Sequence, residues 1–252
     1  MITDFFKGIS YVTRGFGLIR RPGIRRFVII PLLINVLLFG FGIFWLASEF
    51  GVLMEMMLGY LPGWLDWLSW ILWPIFALTI MIVVFYTFTI VANLIGAPFN
   101  SVLAAKLEAE LRGEKIDSES GYATLLKDIG KSIAGELRKL LYLLLWMIPL
   151  LILFVIPVIN VIAPFTMALF TMWMLSLEYN DYPMGNHGYY FGQVKKTLAE
   201  QRGLSLGFGA GIMVMTFIPI LNFLAMPVGV TAATAMWVER ISVRKERENA
   251  QN

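Results

Sequence analysis

The densest chemical feature of the chain is Arg20-Arg21-Pro22-Gly23-Ile24-Arg25-Arg26-Phe27, four guanidinium groups set around a Pro-Gly pair. Pro22 suits the first position of a helix, where its missing N–H would be unpaired anyway. The amides from Gly23 onward would then be open helix-start donors, and a glycine lets an anion approach the backbone closely. With the positive end of the helix dipole and the flanking arginines, this geometry fits a tetrahedral oxyanion such as sulfate or phosphate. The same arginines also suit a plainer role, anchoring a membrane helix at the lipid headgroups.

Elsewhere the chemistry is thinner. Glu108 lies on an amphipathic stretch after Phe99 and faces either a vestibule or solvent. Asp181, Tyr182, Pro183, Asn186 and His187 form a polar knot. It reads as a loop, or as a weak proton relay from Asp181 to His187, since histidine titrates near neutral pH. There is no cysteine and one histidine, so no thiolate or His-rich metal site is expected, and no cofactor. P-loop, G-x-S-x-G and HExxH patterns are absent. The chain does not read as an enzyme; one acting on lipid headgroups would have to rely on Asp181 or His187.

The elements that must carry these residues follow from where the charges stop. Of 252 residues, 58% are hydrophobic and 15% charged, and the mean hydropathy is +0.74. Soluble domains carry about 25% charged residues, so a water-soluble single-core enzyme is excluded. The net charge of +3 sits beside apolar segments, where it sets topology, and nucleic acid is therefore not an expected partner. Residues 27–47 and 70–99 each read as a transmembrane helix, long enough for a ~30 Å hydrocarbon core. Between them, residues 48–69 hold Glu49, Glu55 and Asp66 and no Lys or Arg, and a tryptophan cluster, Trp64, Trp67, Trp70 and Trp73, straddles their end. The positive-inside rule makes that loop external and the N-terminus cytoplasmic. No cleavable signal peptide is expected. Residues 100–139 form a polar helical connector with seven basic and seven acidic residues, a turn at Gly113–Gly121 and a second helix starting near Tyr122.

Residues 140–177 and 203–238 contain no charged residue, and each is interrupted near its middle by Pro and Asn. Halved, each leaves arms of roughly 15–17 residues, short for a full crossing. Helical hairpins that enter the bilayer and return are therefore favoured over pairs of tight spans, with both ends on one side. The two breaks repeat a pattern: I-P-V-I-N-V-I-A-P from Ile156 and I-P-I-L-N-F-L-A-M-P from Ile218, with a reduced form, N-L-I-G-A-P-F, from Asn93. Pro-interrupted apolar segments in corresponding positions point to a transport site built from broken helices, which makes Asn93, Asn160 and Asn222 pore or gating candidates alongside Glu108. Shaping of hairpin tips explains the same residues.

The stretch from Gly15 to Asn35, including R-R-P-G-I-R-R-F-V-I-I-P-L-L-I-N, resembles the CysZ sulfate transporter family of bacterial inner membranes. The resemblance continues through N-L-I-G-A-P-F, K-L-E-A-E-L (106–111), D-Y-P-M-G-N-H (181–187), residues 219–226 and A-A-T-A-M-W-V (232–238), in order along nearly the whole chain. It implies passive or proton-linked uptake of sulfate for cysteine biosynthesis. It also implies an all-α integral membrane protein with two long transmembrane helices and two partly inserted hairpins, working in the bilayer as a homo-oligomer whose protomers are parallel or antiparallel. The family's sulfate element, Gly-Leu-Arg at a helix start, corresponds to Gly23, Ile24 and Arg25, with Arg26 beside it; Ile replaces Leu. Glu108 matches a position near the family's pore. A transport-inactive helical scaffold or assembly factor is the alternative.

Overall fold

A computed structural model describes residues 1–60, 62–114 and 129–250, except for the side chains at 65, 66, 68, 69, 88–95, 97, 129–136, 248 and 249. The described residues form helices α1 (Ile2–Leu18), α2 (Arg25–Gly59), α3 (Ser69–Arg112), α4 (Ile129–Val155), α5 (Ala163–Gly185), α6 (Phe191–Ala199), α7 (Arg202–Phe217), α8 (Pro219–Met236) and α9 (Ser242–Ala250). Short 3-10 turns occupy Gly63–Leu68 and Ile159–Val161, and a π turn joins α8 to α9 at Trp237–Ile241. Among the described residues, five stretches are long and apolar enough to cross a membrane: Arg25–Gly59, Trp70–Thr87, Leu137–Val155, Ile159–Gly185 and Pro219–Arg247. The chain is an all-α, multi-pass membrane protein.

The helices outrun the apolar segments that announce them. α2 continues past Ala47 to Gly59 and takes in Glu49 and Glu55, which were expected in a loop. A 35-residue helix is about 52 Å long, far more than the hydrocarbon core, so both acids can lie beyond the bilayer without breaking it. α3 likewise joins 70–99 and 100–112 in one 44-residue helix that runs through Pro98. It ends in a Schellman motif: Gly113 takes φ +71, its N–H donates to the Glu110 carbonyl, and the Glu114 N–H reaches back to Ala109. The remainder of the expected 113–121 turn, and the helix start near Tyr122, lie outside the described residues.

Residues Met1–Val28 and Phe99–Asn252 form one compact unit, and Ile29–Pro98 forms another. The second unit consists of the apolar lengths of α2 and α3. Within it Phe50 packs edge-on against Trp73 at 5.7 Å, and large side chains such as Leu37, Phe41, Phe44 and Trp70 are exposed. Such faces are stable only in lipid or against protein.

In the first unit α1 lies along α7 and α8, and α5 packs against both. Close approach is possible because the contact surfaces are nearly bare: a Cβ on Gly8 would collide with the Leu204 carbonyl, and one on Gly207 with the carbonyl of Phe5. The two hairpins therefore differ in kind. In α8, small residues from Gly229 to Ala235 let neighbours in, and its candidate span is 61% buried, against 11% for α4 and α5. Length separates them too. The arms of the first hairpin have 27 and 23 residues, each enough to cross, whereas α7 has 16, or roughly 24 Å, shorter than a crossing. The first hairpin's helices are thus longer than its uncharged runs, because they extend through charged residues at both bases.

The Pro-Asn repeat has a common structural element. The Asn160 amide donates to Ile156 at 3.0 Å and the Asn222 amide to Ile218 at 2.9 Å, closing the same Ile-Pro-x-x-Asn turn in both hairpins. Beyond that turn they diverge. The first chain breaks over 156–162 with Val158 at φ 71, a strained region for a β-branched residue. The second starts α8 at Pro219 and carries Pro227 inside the helix.

Candidate functional site

Three interactions shape the arginine loop. Gly23 sits at φ +79, the left-handed region that glycine occupies without steric cost, and turns the chain sharply before α2. Ile24 is fully buried, in the same apolar cluster as Leu18, Val28, Leu103 and Leu107. Arg21 holds the turn closed: its carbonyl accepts the amides of Ile24 and Arg25, both at 3.1 Å, while its guanidinium donates to Glu110 at 2.8 Å. Arg20, Arg25 and Arg26 are exposed and have no carboxylate partner among the described residues, and Arg26 lies over the Phe27 ring at 4.9 Å.

Two local expectations change. α2 begins at Arg25, so Pro22 sits in the turn before the helix and not at its first position. The Ile24 amide is also committed, to Arg21 and to Pro22 at 2.7 Å, and the Arg25 amide is committed to Arg21. Ile24 therefore acts as a buried anchor that throws the arginines outward, and no described backbone carbonyl takes the amides of Gly23 and Arg26.

A second cluster surrounds Glu108, whose side chain is 9% exposed. His187 Nε2 lies 2.9 Å from both carboxylate oxygens, and Arg112 Nε donates to Oε1 at 2.9 Å. Burial by itself would raise the carboxyl pKa, but the hydrogen bonds and charges of His187 and Arg112 outweigh it and hold Glu108 below its ordinary value. An ionised carboxylate can only accept, so Nε2 carries the proton. The imidazole packs on Trp237, ring centroids 5.2 Å apart. A cleft of about 610 Å³ opens beside the cluster, lined among others by Arg112, Asn186, Ser242 and Lys245. The π turn that places Trp237 here also points Glu239 at Arg14, 2.6 Å away, and at the Tyr11 hydroxyl.

The structure does not bring Asp181 and His187 together. Asp181 is inside α5 and pairs with Lys139 at 3.4 Å, a lysine that also meets Glu178 at 2.8 Å. The knot expected as a loop is helical as far as Gly185 because α5 simply continues past the apolar run. Asn160 and Asn222 are exposed near the hairpin tips, and the side chain of Asn93 lies outside the described residues. Arg112, Trp237 and Lys139 escaped the sequence reading. Only the Glu108–Arg112 pair had a local signal, its i,i+4 spacing.

Fold and site together define a multi-pass helical membrane protein with a cationic loop where a spanning helix begins. The family described as Sulfate transporter CysZ/Etoposide-induced protein 2.4 matches residues 11–227, and the chain belongs to it. It is 44% identical to the sulfate transporter CysZ of Vibrio parahaemolyticus over 232 residues, which are 92% of this chain and 94% of that protein. It is also 41% identical to the CysZ proteins of Pectobacterium atrosepticum, over 92% of this chain and 85% of that one, and Vibrio cholerae, over 94% and 95%.

Proposed function

We propose that this chain is a sulfate transporter of the bacterial inner membrane, supplying sulfate for cysteine synthesis and acting as a homo-oligomer, not as an enzyme. The observation that carries this reading is the loop 20–26, in a chain whose relatives are named as sulfate transporters. Sulfate is a strongly hydrated dianion, and a site that takes it from water must replace that hydration with donors. Gly23 and Arg26 offer amides; Arg20, Arg25 and Arg26 offer guanidinium groups not already claimed by described carboxylates. A site of few cations also lets the ion leave, as conduction requires.

The charge bias places the N-terminus and these arginines in the cytoplasm, whereas uptake begins outside. Antiparallel protomers would give each face of the membrane one loop, and hairpin tips bearing Asn160 and Asn222 would line the path between them. A proton link has one geometric support: the sole histidine of the chain is hydrogen-bonded to the buried Glu108 beside the cleft.

Labelled sulfate uptake into proteoliposomes, with and without a pH gradient, tests the whole reading. The parent should conduct, and Arg25→Ala and Arg26→Ala should each cut sulfate binding and flux by about tenfold to a hundredfold, the loss of one charge-assisted contact of roughly 1.5–3 kcal/mol. No flux from purified, folded protein favours a scaffold role; unchanged binding in both variants moves the site elsewhere.

A further inference from the structure

We propose that Glu110 is the positioning residue of the anion loop, acting through Arg21; this rests on the sulfate reading above. Among the described residues, the Arg21–Glu110 contact at 2.8 Å is the only ion pair made by any of the loop's four arginines. Arg21 is held at both ends. Its carbonyl gathers the Ile24 and Arg25 amides, so the position of this one residue sets the direction in which α2 begins. Its guanidinium is held by a carboxylate on the last turns of α3, whose Schellman end is ordered by the Glu110 carbonyl accepting the Gly113 amide. Ile24 is buried in the cluster that includes Leu103 and Leu107 of the same helix. The last turns of α3 thus support the loop twice, by an apolar anchor and by a charge clamp.

Both partners are 42% exposed, so the pair is a modest one and its effect on binding should be modest as well.

The test is sulfate binding by calorimetry on detergent-purified full-length protein. Glu110→Gln and Arg21→Gln should each weaken binding roughly twofold to fivefold with an unchanged melting temperature. The exchanged pair, Arg21→Glu with Glu110→Arg, should restore parental affinity to within about twofold, which a merely structural surface contact would not require. The proposal is overturned if Glu110→Gln binds sulfate as tightly as the parent or more tightly, since Arg21 would then be a ligand held in reserve. It is also overturned if the exchanged pair folds and gives no rescue. Arg25→Ala and Arg26→Ala run in parallel: if those bind normally, the sulfate reading itself has failed; if they lose binding while Glu110→Gln does not, only the clamp has.

Discussion

At the scale of single residues, Glu108 is a nearly buried carboxylate whose neighbours, His187 and Arg112, hold its pKa below the ordinary value. A folded-state pKa held below the unfolded value means that the carboxylate contributes stability at all pH values above its unfolded pKa, about 4.3. That contribution disappears as pH falls through the lower, folded value. Melting temperature in detergent should therefore fall on acidification below about pH 4.5, and Glu108→Gln should remove part of that slope. At neutral pH Glu108→Gln is expected to destabilise, because Arg112 and His187 lose an ionised acceptor. A parental slope in Glu108→Gln would show that other carboxylates set the acid limit. The local half of this cluster, Glu108 with Arg112, can be read from spacing alone. The other half comes from 79 residues away, and no short-range pattern announces it. Trp237 was equally hidden, since a π turn has no sequence signature that periodicity would expose.

At the scale of elements, the breaks were legible and the continuities were not. Pro157 and Pro219 mark real interruptions, because proline cannot donate to the preceding turn and both sites close onto an isoleucine carbonyl instead. Glu49 and Glu55 suggested a loop, yet charge ends a membrane crossing without ending a helix. What distinguishes the second hairpin is the size of its side chains, not its hydropathy. Gly207 faces the backbone of Phe5 with no room for a methyl group, and Gly8 faces α7 in the same way. Gly207→Ala must push α1 away from α7 and should cost about 1–3 kcal/mol, seen as a drop in melting temperature. Gly192→Ala, where the added atom meets open space, is the control and should leave stability essentially unchanged or raise it slightly. Equal losses in the two variants would count against close packing at Gly207 as the cause, since helix propensity by itself favours alanine over glycine.

At the scale of the whole molecule, orientation is the property on which the transport reading depends. All 20 Lys and Arg residues lie outside 48–69, a strong bias for a single orientation with that segment outside. By the positive-inside rule the arginine loop, which precedes α2, would fall on the cytoplasmic side, and only oppositely oriented protomers would present it to external sulfate. The cysteine-free sequence makes the two arrangements separable by labelling. Lys7→Cys and Glu55→Cys place single thiols at exposed positions on α1 and near the far end of α2. In intact spheroplasts treated with a membrane-impermeant maleimide, a single orientation labels Glu55→Cys fully and Lys7→Cys only after permeabilisation. Antiparallel protomers label both sites to about half in intact cells, since each site then faces outward in one protomer of two. We expect the half-and-half result, because an importer whose anion loop faced only the cytoplasm would capture sulfate after the crossing that the loop is there to serve. Full protection of Lys7→Cys would remove the antiparallel arrangement and turn the loop into an exit site, leaving entry to be sought among the exposed hairpin tips.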